Sequence, residues 1–190
     1  MGKERLMAFT DAVLAIIMTI LVLELEKPEA ATFEALWSLK ENFFVYALSF
    51  FWLGTMWVNL HNEWHGVSKV STAVVWWSVI LLFFSSMIPY AIRFVNVDYN
   101  SGVTQGFYGI MVLLVTFSNV GLSSALEKAN HEEKEIKEDI AGSRKRLYLD
   151  IGIKIIALIL TFTVYPSAMM ISVLITMVLM MIPSRRKVNG

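Results

Sequence analysis

Long apolar runs dominate this chain and leave it little choice of fold. Inside a bilayer no water satisfies the backbone, so a spanning segment is a closed-barrel strand or a helix of roughly 20 mostly apolar residues. The runs here have helical length. The sequence predicts six of them, at 6–25, 43–60, 72–94, 104–126, 148–164 and 166–182. Lys27-Pro28-Glu29 breaks the first, HNEWHG follows the second, and Pro89 falls near the end of the third. Tyr165-Pro166 separates the last two, because proline disfavours helix in the residue before it and suits a helix start. The expected fold is an all-α polytopic membrane protein. It is one domain over 1–190 with six transmembrane helices and a charged connector at 127–146. Composition agrees. Charged residues make up 17% of the chain and the mean hydropathy is +0.60, whereas soluble domains carry about 25% charged residues.

The formal net charge is +0, so only its distribution is informative. Lys3 and Arg5 precede the first run, and Lys69 follows the second. Lys128, Lys134, Lys137, Arg144, Lys145 and Arg146 follow the fourth, and Arg185, Arg186 and Lys187 end the chain. The opposite loops offer Lys27, Lys40 and Arg93. Short basic loops stay cytoplasmic, which puts both termini on the cytoplasmic side of a cell membrane. The first run resembles a signal peptide, but Asp11 interrupts it, and Glu24 and Glu26 end it without a small-residue cleavage site. The expectation is an uncleaved first helix.

Several chemistries find little support. The chain has no cysteine, which excludes disulfides, thiolate metal sites and cysteine nucleophiles. It has no glycine-rich phosphate loop and no nucleic-acid motif. His61, Glu63 and His65 read H-x-E-x-H rather than the H-E-x-x-H zinc pattern, and are better read as interfacial polar residues. Ser85-Ser86 and Ser123-Ser124 suit helix packing. An enzyme is not expected, nor a bound cofactor. In the connector, Glu133 with Lys137 and Lys134 with Glu138 have the spacing of an exposed helix, which Gly142 ends. The SRKR cluster after it faces the anionic inner leaflet, chiefly as a positive-inside anchor. Trp37, Trp64, Tyr90, Tyr99, Tyr148 and Tyr165 suit the membrane interfaces. Trp52, Trp57, Trp76 and Trp77 sit deeper, between helices.

The first run, RLMAFTDAVLAIIMTILVLELE, carries the sharpest pattern. Successive helical residues turn by about 100°, so Ile16, Ile20 and Leu23 share a stripe that Thr19 borders. Asp11 points roughly 140° away, beside Ala8 and Ala15, where a neighbouring helix can come close. A carboxylate there needs donors. Arg5 is near in sequence, and Trp57, His61 and Asn62 end the second run on the same side. Trp57 and His61 lie four apart on one helix face. A polar knot joining the first two helices is expected.

Arg5, then Phe9-Thr10-Asp11, Ala12-Val13, Ala15-Ile16, Thr19 and Leu23-Glu24 resemble the signature of the bacterial relatives of the lysosomal potassium channel TMEM175. In that family an arginine is followed, after three residues, by Phe-Ser-Asp. Threonine replaces serine here and keeps the hydroxyl. Trp57-x-x-x-His61 also resembles the family pattern. The resemblance implies a bacterial homotetramer whose first helices line a central cation pathway, without a TVGYG-like carbonyl filter. It implies that Ile16 forms the principal constriction and that Ile20 and Leu23 form rings further out. Thr19 would form a hydroxyl ring beyond Ile16. Arg5, Phe9, Thr10, Asp11, Trp57, His61 and Asn62 would hold the helix in place rather than line the pore.

The function this implies is a cation channel, potassium-selective or modestly so, with potassium and other monovalent cations as permeant partners in the lipid bilayer. A secondary transporter or proton-coupled exchanger is the alternative. It needs ionisable groups deep in the membrane, and beyond Asp11 the sequence offers Arg93 and Lys154. Lys154 lies about two turns into the fifth run, from where it can snorkel to the interface. The Asp11 argument yields a prediction. Asp11→Ala should lower the oligomer fraction in size-exclusion chromatography more than it alters ion preference. Intact oligomers with changed selectivity would contradict it.

Overall fold

Side-chain hydroxyls cap the starts of three helices, at Thr32, Ser71 and Ser101. The structure is a computed structural model that describes residues 2–65, 67–131 and 134–181, with only the backbone at 65, 134–141 and 143. Helix α1 covers Lys3–Ile20 and closes in a 3-10 turn over Leu21–Glu24. A short α2, Phe33–Ser38, is capped by the Thr32 hydroxyl, which accepts from Ala35 N at 3.2 Å. Next come α3 (Lys40–His65), α4 (Thr72–Ser86), α5 (Ile88–Val97), α6 (Gly102–Ala129), α7 (Lys134–Thr163) and α8 (Ala168–Met181). Ser71 and Ser101 cap α4 and α6 by accepting from backbone N–H groups, as short hydroxyl side chains do. Pro89 stands at the start of α5 and explains the break at Met87, since proline has no N–H and its ring clashes with the preceding turn.

The described residues are all helix and connection, with no strand. Helix α6 is the hub and packs on α4, α5, α7 and α8. Its glycines permit this. A Cβ on Gly106 would overlap the Phe162 ring of α7, and one on Gly121 would overlap Trp77 of α4. Side chains tie the hub across its length. Ser49 of α3 and Tyr108 of α6 share a hydrogen bond of 3.0 Å. Asn130 accepts from Ser68 N and Lys69 N at 3.1 and 2.8 Å and donates to Lys69 O at 3.0 Å, so it clamps the α3–α4 loop onto the end of α6. Glu127 pairs with Arg144, which fastens α6 to α7.

The expected six transmembrane helices are corrected to four. Among the described residues, the helices long and apolar enough to cross a membrane are Lys3–Glu24, Lys40–Trp64, Thr72–Val97 and Gly102–Ala129. The last two runs fail for different reasons. Helix α8 has 14 residues and reaches about 21 Å, short of a hydrocarbon core of about 30 Å. Helix α7 is long, but its 18 residues ending at Thr163 take in Arg146, Asp150 and Lys154. The basic tail at Arg185, Arg186 and Lys187 lies outside the described residues.

Lys154 does not snorkel. It is fully buried and donates to Asp150 Oδ2 at 2.7 Å and to Thr116 Oγ1 of α6 at 3.1 Å. The Trp52 ring of α3 lies 5.1 Å from its Nζ, within cation–π range. The acid stands four residues before the base, the favourable order on a helix. Breaking such a pair leaves an uncompensated buried charge, whereas replacing both partners by apolar groups does not. Lys154→Met should therefore cost about 3–5 kcal/mol, and the double variant Lys154→Met with Asp150→Leu should recover most of that loss. Thermal unfolding of the two variants in the same detergent compares them.

Candidate functional site on the first helix

Two apolar faces distinguish α1. Leu6, Thr10, Leu14, Ile17 and Leu21 are buried and recur every three or four residues, the spacing of one helix face. This face packs against α3 and α4. The other face is uncovered. Ile16 is 58% exposed, Ile20 37% and Leu23 75%. Within the chain, 28% of the apolar stretch of α1 is buried, against 61% for α6. The stripe Ile16, Ile20, Leu23 thus lies on the side of α1 that its own chain leaves open. Phe9, seven residues before Ile16 and so on nearly the same azimuth, is also exposed.

Thr19 is exposed within this stripe. Its hydroxyl donates to Ile16 O at 2.8 Å. That bond uses the proton and leaves the oxygen lone pairs facing outward. Above it, Asn96 of α5 donates to Glu24 O at 3.1 Å, which anchors the end of the 3-10 turn. Glu24 is half-buried and Glu26 exposed.

Of the residues expected in the polar knot, the structure brings three together. Trp57 Nε1 donates to Asp11 Oδ1 at 2.9 Å. The His61 ring lies against Trp57, with centroids 5.9 Å apart. Arg5 and Asn62 are exposed and, among the described residues, make no hydrogen bond or ion pair. Thr10 is buried, but its hydroxyl turns back to Leu6 O at 2.9 Å. Ala8 and Ala15 are exposed, so the close approach expected beside Asp11 is not made within one chain. Trp52 is buried as expected, while Trp76 is exposed and Trp64, expected at an interface, is buried. Among the described residues no three His, Asp or Glu side chains converge to hold a metal. The His65 side chain lies outside them.

Sequence reasoning missed the cluster around Asp150 and Lys154 and the clamp at Asn130. The first had a signal, an acid and a base four apart inside an apolar run. The second had none, because a lone asparagine at a helix end looks the same whether or not it reaches a loop.

The Asp11–Trp57 bond can be tested directly. Trp57→Phe keeps an aromatic ring and removes the donor, and should cost about 1–2 kcal/mol. In a double-mutant cycle with Asp11→Ala, which removes the acceptor, the two losses should not add. Additive losses would show the bond to be idle.

Known proteins extend this picture. The family model described as the endosomal/lysosomal potassium channel TMEM175 matches residues 5–89, which run from α1 into the start of α5. A potassium channel of Chryseobacterium sp. (strain P1-3) is 32% identical over 162 residues, 85% of this chain and 84% of that protein. A potassium channel of Chamaesiphon minutus is 24% identical over 169 residues, 83% of each chain. The crystal structure of a lysosomal potassium-selective channel TMEM175 homolog from Chamaesiphon minutus has a TM-score of 0.76 and 24% identity, and 94% of each chain is covered. That likeness shows a shared fold. Since the identity to the Chryseobacterium protein extends over most of both sequences, the chain belongs to the TMEM175 potassium-channel family.

Proposed function

We propose that this chain is a potassium-permeable cation channel, and that four copies place the uncovered face of α1 around a central pathway. Membership of the family supports a channel rather than an enzyme. The observation that carries the finer reading is the two-faced α1. Its inner face is sealed by its own chain, while Ile16, Ile20 and Leu23 stand exposed one above the other. A bulky stripe of this kind, repeated by symmetry, makes stacked apolar rings.

Ile16 forms the principal constriction in this reading, and Ile20 and Leu23 form rings further out. An apolar ring gates by dewetting: narrow, it excludes water and ions, and widened, it admits both. Apolar side chains cannot replace a hydration shell. A passage that strips part of the shell favours potassium over sodium, because potassium holds its water less tightly. The outward lone pairs of Thr19, left by its bond to Ile16 O, offset part of the dehydration cost just beyond the ring. Selectivity built this way is modest. Glu24 and Glu26 at the outer end focus the field and concentrate cations. Asp11, Trp57 and His61 hold α1 at its angle, and Thr10 lies on the face of α1 that its own chain seals, while Arg5, Phe9 and Asn62 are exposed and add nothing to that hold. Lys3, Arg5, Lys69 and the basic connector place the N-terminus on the cytoplasmic side of a bacterial cell membrane, following the positive-inside rule. An even number of spans before α7 keeps the N-terminus and the connector on the same side.

The buried Asp150–Lys154 pair is the feature that would serve a proton-coupled exchanger instead. Flux in liposomes reconstituted with purified protein separates the two readings. The channel requires downhill potassium flux without a coupled gradient, and Ile16→Asn should raise sodium flux several-fold by wetting the constriction. Flux that depends on a proton gradient and ignores Ile16→Asn would favour the exchanger.

A further inference from the structure

The hairpin of α7 and α8 leaves an open apolar groove between its two helices. The groove has a volume of about 340 Å³, and its wall includes Ile153, Ile156, Ala157 and Leu160 of α7 and Ala168 and Ile175 of α8. The Ser172 hydroxyl in that wall is turned away to Met169 O at 2.7 Å. Such a lining fits hydrocarbon. Helices α7 and α8 pack on α6 and α3, whereas α1 packs on α3 and α4. The groove and the open stripe of α1 therefore belong to different sides of the bundle. Copies that meet along α1 leave the groove to lipid.

The same face of α7 ends in positive charge. Glu127 closes the apolar run of α6, and its pair with Arg144 brings this turn of α7 to the membrane boundary. Lys145 is exposed there, and Leu149 is exposed one turn on. At about 100° per residue, Lys145, Leu149, Ile153, Ile156 and Leu160 fall within about 80° of one another. One stripe thus leads from the charge into the groove. Lys145 makes no hydrogen bond or ion pair among the described residues, and no acidic residue lies within one turn of it along α7. Its neighbours are occupied: Arg144 pairs with Glu127, and Arg146 lines the interior pocket with Glu63 and Asp150. Lys128, next to Glu127 on α6, is a second exposed cation at this level. A Cβ on Gly142, three residues before Lys145, would meet nothing within 4 Å, so the surface is open where a headgroup would lie.

Lys145 stands about 12 Å from Ile153 along the helix. One leaflet contributes about 15 Å of hydrocarbon, so an acyl chain that starts at Lys145 ends among Ile153, Ile156 and Ala157. The charge and the groove are spaced as the headgroup and tail of one lipid. We propose that this face of α7 binds one anionic phospholipid per chain, with its phosphate on Lys145 and one acyl chain in the α7–α8 groove. Helix α8 is too short to cross the hydrocarbon core, and the bound chain fills the space beside it that neither helix covers. The lipid fastens α7 to α8 from the side opposite α6. The site does not depend on what passes along α1.

Native mass spectrometry of the full-length protein in detergent, with added palmitoyl-oleoyl phosphatidylglycerol or phosphatidylcholine, counts the lipids retained. The wild type should keep one phosphatidylglycerol per chain under activation that strips phosphatidylcholine. Lys145→Glu should cut that retention several-fold, because it puts a like charge against the phosphate. Ile156 and Ile159 are 61% and 59% exposed, but only Ile156 lines the groove. Ile156→Gln should therefore cut retention several-fold and Ile159→Gln should not. Should Ile156→Gln not fold, Ile156→Ala takes its place. Ile16→Asn should keep the lipid. Equal retention of the two lipids overturns the proposal. So does retention that falls in Lys145→Glu but is unmoved at Ile156, which reduces the effect to charge attraction at the surface. The chain has no native cysteine, so Ile156→Cys reports on the remaining occupant: an efficient disulfide between copies would put a second copy in the groove and likewise overturn it.

Discussion

Helix α1 has two apolar faces, and its own chain can cover only one of them. Leu6, Leu14, Ile17 and Leu21 are spent on α3 and α4, so Ile16, Ile20 and Leu23 need another environment. Lipid would satisfy them energetically. Lipid, however, gives no reason for a hydroxyl at Thr19 or for an acid fixed to a tryptophan on the same helix. The proposed assembly of several copies accounts for both, because the angle of α1 then sets the geometry of whatever the copies enclose. The Trp57–Asp11 bond joins α1 to α3 and fixes that angle from the side, without occupying the stripe.

The rest of the fold is a rigid support for α1. Helix α6 holds it together through glycine-permitted contacts and side-chain hydrogen bonds. A buried hydrogen bond is electrostatically stronger than an exposed one, and an unmade one is correspondingly costly. Tyr108 with Ser49, and Asn130 with the α3–α4 loop, are satisfied bonds of this kind. They define a single arrangement more than they add net stability, since the unfolded chain in a membrane finds partners too. Under the proposed channel reading, such a support lets a local change at Ile16 act on passage without rearranging the bundle.

The first four runs were legible because bilayer thickness and proline act locally, but their ends were not: α3 continues to His65, through the polar segment expected to follow it. The pattern of α1 was legible because helical period alone separates Ile16 from Asp11. The final hairpin was not. Residues 148–164 read as a span, and the sequence does not show that Asp150 and Lys154 turn toward each other and toward Thr116. A lysine with a long stem can leave the membrane or bury itself in a pair, and only the position of α6 decides. In the same way, spacing suggested that Arg5 and Asn62 could reach Asp11, but reach depends on the helix crossing angle, and both stay exposed.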